Sequence, residues 1–239
     1  MTQLLAIASR ELAAYFRTPL GWVVTALYLT LSSVVFAFLV LVPAEPASLR
    51  PFFSLSGWLL MFIAPAISMR LISDEIRTGT IETLLTAPIS DWLVILGKHL
   101  GAVAFLLVML TPTLVYPLTL ELFADPEYGP IASGYLGLVF SGCLYLAAGT
   151  LFSALSGSQT LAYLGTLFAL LLVRLTTTDA IAQKAPALVS KWLYALSIDT
   201  HLAGFTAGVI DTGDLAFFLV TTAWLLTLAV VALQSRRWR

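Results

Sequence analysis

Polar residues are so sparse along this chain that the apolar runs define its pattern. They recur at roughly 21–42 (GWVVTALYLTLSSVVFAFLVLV), 52–69 (FFSLSGWLLMFIAPAISM), 99–122, 132–154, 160–175 and 214–233. A helix needs about 20 mostly apolar residues to cross a bilayer, so six spanning helices are predicted. In the third run, TPTLVYP puts Pro112 and Pro117 inside the span. That predicts a kink rather than a loop, because neighbours in a membrane bundle can re-satisfy the carbonyls that proline frees. Two helices are predicted outside the spans. Residues 3–17, within the segment 1–20, are amphipathic and stop at Thr18-Pro19, as an element lying along the membrane surface would. Pro186 opens PALVSKWLYALS (186–197), where Leu188, Val189, Trp192, Leu193 and Leu196 repeat at helical spacing. This predicts an interfacial or re-entrant helix between the fifth and sixth spans.

Composition agrees with the pattern. Hydrophobic residues make up 59% of the 239 and charged residues 10%, where a soluble domain has about 25% charged. The bilayer must therefore be part of the solvent, and the fold class is an all-α integral membrane protein built as a single domain. A net charge of −1 gives no electrostatic footprint for nucleic acid. Cys143 is alone, so no intrachain disulfide can form, and Arg10, Glu11 and Arg17 interrupt the run that a cleavable signal peptide would need.

Six spans put both termini on one side. That side holds Arg10, Arg17, Arg70, Arg77, Lys98, Arg236, Arg237 and Arg239, whereas the other holds Arg50, Arg174, Lys184 and Lys191. The excess of Lys and Arg points the termini into the cytoplasm. Arg174, at the end of a short span, is expected to snorkel to the interface.

The densest polar stretch is SDEIRTGTIETLLTAPISDWLVILGK, residues 73–98. Arg70 and Asp74 would pair at i,i+4 if the second helix continued out of the membrane. Gly79 ends that element, Thr80 is a candidate N-cap, and Glu82 falls in a first turn where the helix dipole favours an acid. Ile81, Leu84 and Leu85 share one face of a helix of about two turns, which Pro88 stops. So short a helix is marginal in water alone. Its apolar face either folds back onto the protein and the headgroups or enters a groove on a soluble partner. Ser90 is a candidate N-cap for the helix that follows.

The run MRLISDEIRTGTIETLLTAPISDWLVILGK resembles the signature of type-2 ABC exporter permeases, nearest the gliding-motility and nitrous-oxide-reductase-maturation types. Asp74, Glu75, Arg77, Gly79 and Thr80 correspond to its acidic-plus-glycine segment, Glu82 to Leu85 to its E-x-L-L, Pro88 to Ser90 to its turn, and Gly97-Lys98 to its G-K pair. FFSLSGWLLMFIAPAISMR and the C-terminal stretch from His201 are also similar; residues 101–185 match only in hydropathy. The resemblance implies that 73–98 is a cytoplasmic coupling loop whose helix docks into a separate ABC ATP-binding subunit, which would explain its concentration of polar residues.

It further implies two copies of that subunit, with ATP and Mg bound there and no cofactor bound by this chain. A second permease copy, identical or related, would complete a dimer, and additional envelope subunits are open. The location implied is the bacterial cytoplasmic (inner) membrane. No G-x-x-x-x-G-K-[ST] loop occurs in the sequence, so ATP hydrolysis would reside on the partner. Ser54, Ser56, Glu121, Tyr163 and Thr166 are candidates for a substrate path, and the nearly charge-free interior favours a lipid-like or amphiphilic cargo for export or extraction. The alternative is a membrane anchor that transmits ATPase work to envelope proteins without cargo. An intramembrane enzyme is a distant third, since His99 and His201 fall on opposite sides and no catalytic or metal site assembles around either.

Overall fold

The computed structural model describes residues 2–41, 48–81, 89–123, 126–184 and 186–235. Every regular element among them is helical: α1 (Thr2–Arg17), α2 (Pro19–Leu39), α3 (Arg50–Ser68), α4 (Ser73–Thr78), α5 (Asp91–Leu110), α6 (Val115–Glu121), α7 (Tyr128–Leu155), α8 (Gln159–Thr176), α9 (Asp179–Ala182), α10 (Ala187–Ala195), α11 (Ile198–Thr206) and α12 (Thr212–Ser235). Six helical stretches among the described residues are long and apolar enough to cross a membrane. They are built on α2, α3, α5 with α6, α7, α8 and α12, matching the six predicted spans, and the chain is a multi-pass membrane protein.

Helix boundaries follow local chemistry. Proline occupies the first turn of α2 and of α3, where a missing N–H leaves nothing unpaired. Ser90 caps α5 by accepting from Leu93 N, and Ser197 caps α11 by accepting from Thr200 N. The third crossing breaks where proline predicted it would. A 3₁₀ turn at Thr111–Leu114 separates α5 from α6, and two threonines stitch the break: Thr111 Oγ1 donates to Leu107 O at 2.9 Å and Thr113 Oγ1 to Leu110 O at 2.6 Å.

α7 is the centre of the bundle, packed by α3, α5, α8, α11 and α12. Its most apolar window is 67% buried, against 22% for each of α2, α8 and α12, so the latter three form the periphery. In a bilayer lipid is as apolar as leucine, and small residues permit the close approach on which helix packing depends. Gly149 of α7 shows this most sharply, because a Cβ there would sit 1.7 Å from Ser68 Oγ of α3.

On the membrane face opposite the termini, α9, α10 and α11 link the last two crossings. The predicted apolar face of 186–197 is uncovered in α10, with Leu188 77% and Trp192 69% exposed.

Candidate functional site

The polar segment after the second crossing does not continue as helix. α3 ends at Ser68, Met69 to Ile72 form a turn, and α4 starts afresh at Ser73. The expected i,i+4 pair of Arg70 and Asp74 is therefore replaced by other partners, since the turn takes the two side chains off a common helical face. The break is held from across the bundle by Ser153 of α7. Its hydroxyl accepts from Ile72 N and Ser73 N, each at 3.0 Å, and donates to Met69 O at 3.0 Å. One donor and two acceptor sites are thus all used, the full capacity of a hydroxyl. Ser153→Ala would leave two buried N–H groups without that acceptor, and unsatisfied buried groups cost about 1–3 kcal/mol. A lowered thermal midpoint of the purified protein, with normal membrane insertion, is the expected result.

Seven residues past the start of α5 at Asp91 lies the main ionic junction. Lys98 is 2% exposed, and its Nζ lies 2.8 Å from Glu11 Oε1 and 2.8 Å from Glu75 Oε1. One buried ammonium thus ties α1, α4 and α5 together. Glycine makes the approach feasible: a Cβ at Gly97 would lie 2.8 Å from Ile7 Cγ2, and one at Gly101 would lie 2.6 Å from Glu11 Cβ. The spacing Gly97-x-x-x-Gly101 is a helix-contact signal legible in the sequence that the reading of Gly97-Lys98 as a pair missed.

A second set of contacts fixes α1 to the end of α3. Arg70 Nη1 donates to Thr18 Oγ1 at 3.0 Å, and its guanidinium lies 4.4 Å from the Tyr15 ring centroid. Tyr15 donates its hydroxyl to Ile67 O at 2.8 Å and stacks on Phe105 of α5. Burial pushes the Tyr15 phenol above its ordinary range, so it stays a neutral donor. The N-terminal helix is therefore bolted to the bundle.

Of the remaining loop residues, Asp74 pairs with Arg77 at 2.9 Å and accepts from Gln159 Nε2 of α8 at 2.7 Å. Gly79 ends α4 with φ +74°, a left-handed value that glycine adopts without strain. The Thr78 and Thr80 hydroxyls are 2.9 Å apart, and Ile81 is partly buried against the core. Glu82, Leu84, Leu85 and Pro88 lie outside the described residues.

The five path candidates do not converge. Ser54 is exposed at the opposite face, Ser56 is fully buried in α3, and Thr166 is buried with its hydroxyl on Ala162 O at 2.6 Å. Tyr163 is half-buried on α8, and Glu121 is exposed at the end of α6.

Arg174 is a correction to the sequence reading. It does not snorkel: it is 1% exposed and forms an ion pair with Asp199 of α11, through Nε at 2.9 Å and also through Nη2. Nη1 donates to Gly57 O at 3.1 Å and to Tyr145 OH at 3.3 Å, and the guanidinium lies 3.9 Å from the Trp58 ring centroid. A nonlocal carboxylate, supplied by the chain after α8, makes burial of the charge tolerable.

The Lys98 junction ties both ends of the polar stretch 73–98 to α1, and the six-crossing bundle stands behind it. The family model described as ABC-2 family transporter protein matches residues 5–236, which take in most of α1 and all six crossings. No curated protein matches the chain. The chain belongs to the ABC-2 family of transporter proteins, as a multi-pass permease subunit.

Proposed function

We propose that this permease couples ATP hydrolysis on a separate ATP-binding subunit to export or extraction of a lipid-like or amphiphilic substrate. Family membership implies the ATP-binding partner. The observation that carries the coupling reading is the Lys98 junction, where one side chain from the end of the polar stretch joins the N-terminal helix, α4 and the third crossing. A displacement of the loop would be passed to the second and third crossings together, as rigid-body motion rather than local bending. Gly79, Thr80 and Ile81 lead into the docking helix, with Ile81, Leu84 and Leu85 as its apolar anchor and Glu82 at its polar rim.

The working unit in this reading has two ATP-binding subunits, which hold ATP and Mg, and two permeases, identical or related. The peripheral crossings α2, α8 and α12 offer the exposed faces for the second permease and for lipid. The unit sits in the bacterial inner membrane with both termini cytoplasmic. Leu84→Asp with Leu85→Asp should detach the ATP-binding subunit in affinity purification from native membranes, while the permease stays inserted. Retention of a stoichiometric ATPase and full activity in that double variant would overturn the coupling role of the helix.

A further inference from the structure

On the face opposite the termini, a cavity of about 720 Å³ opens between the outer end of α3, the end of α8 and helices α10 and α11. That volume is within the range of about 300–1,000 Å³ usual for small-ligand sites. Its lining is rich in hydroxyls, and their hydrogen bonds define what it can receive. Thr177 Oγ1 donates to Val173 O at 2.9 Å, Thr178 Oγ1 to Leu175 O at 2.8 Å, and Thr206 Oγ1 to Ala203 O at 3.0 Å. Each of these three protons is committed to backbone, so Thr177, Thr178 and Thr206 turn lone pairs toward an occupant, while the hydroxyls of Ser54, Thr200 and Tyr194 in the same lining can donate.

The charges in the wall cancel. Asp199 lines the cavity and is an acceptor only, while Arg174 neutralises it. The guanidinium donors are in turn taken up by Asp199, Gly57 O and Tyr145 OH. An anionic group would meet the Asp199 carboxylate and only neutral donors, and a cation would find no net charge to attract it. Trp58 and Tyr194 add aromatic surface to the lining.

The geometry points to this cavity as a binding site for a neutral, polyhydroxylated, sugar-like group, whether carried by a lipid or free. Such a group brings many O–H donors for the threonine and aspartate oxygens and a C–H face for the aromatic rings. Binding here does not require the coupling assignment of the loop, so it can be tested on the purified chain alone.

The test uses the full chain in phosphatidylcholine nanodiscs doped with glucosyl-diacylglycerol or, at equal concentration, diacylglycerol. Native mass spectrometry and the thermal midpoint are the two readouts. The glucosylated lipid is expected to bind and raise the midpoint, and diacylglycerol is not. Thr178→Val with Thr206→Val keeps side-chain shape and removes two acceptors, so binding should weaken about tenfold. Ala203→Phe, at an exposed position in the lining, should fill the space and abolish it. Ligand-free midpoints of both variants establish that they fold. Soluble maltotriose binding with the same variant sensitivity would support the site with a free saccharide as its source. Equal binding of diacylglycerol, tighter binding of phosphatidic acid or phosphatidylethanolamine, or binding unchanged by Ala203→Phe would overturn it.

Discussion

Lys98→Met is expected to destabilise the folded permease by about 3–5 kcal/mol, the usual cost of removing one partner from a buried ion pair. The cation is 2% exposed, and the side chains of its two partners, Glu11 and Glu75, are 14% and 20% exposed. Without it, two carboxylates from different helices would face one another in a site that water reaches poorly. Glu75 is already short of partners, because its Oε2 is buried with none among the described residues.

Adding Glu11→Gln and Glu75→Gln removes that repulsion, so the triple variant should recover most of the thermal midpoint. Under the coupling proposal it should not recover ATP-driven activity, because the three helices would no longer be tied by charge. Midpoints of wild type, single and triple variants in one detergent, with ATPase stimulation in the assembled complex, separate the two effects. A single variant within about 1 kcal/mol of wild type would mean that the junction relaxes easily, against the cost that burial predicts.

At the opposite face, removing the acid should hurt more than removing the base. Asp199→Ala leaves a 1% exposed guanidinium with only neutral acceptors, and should cost about 3–5 kcal/mol. Arg174→Met leaves a carboxylate whose side chain is 41% exposed and can be hydrated. Its main penalty is the Tyr145 hydroxyl left without its charged neighbour, about 1–3 kcal/mol. Paired thermal unfolding of the two variants decides the order. A larger loss for Arg174→Met would show that the arginine's packing against Trp58 outweighs its charge balance.

The contrast between the two ion-pair sites shows what could be read before folding. The six crossings, the break at Pro112, the helix that ends before Pro19 and the Ser90 cap all depend on neighbours within a turn or two, and periodicity records such neighbours directly. The polar loop was legible as a segment for the same reason. Arg174 was misread because its partner comes 25 residues later on another helix, a separation that no local pattern encodes. The Arg70–Asp74 pair was conditional on the helix continuing, and that condition fails because Ser153, 80 residues beyond Ser73, holds the chain in a turn.

The sequence by itself determined that this chain lives in a bilayer, how often it crosses, and where its polar chemistry is concentrated, since all three follow from the cost of placing polar groups in hydrocarbon. Only the tertiary structure decided which charges meet, that Lys98 joins three helices, and that the five path candidates stand apart. Those outcomes depend on how closely helices approach at Gly97, Gly101 and Gly149, and close packing is a property of facing surfaces rather than of either strand of sequence alone.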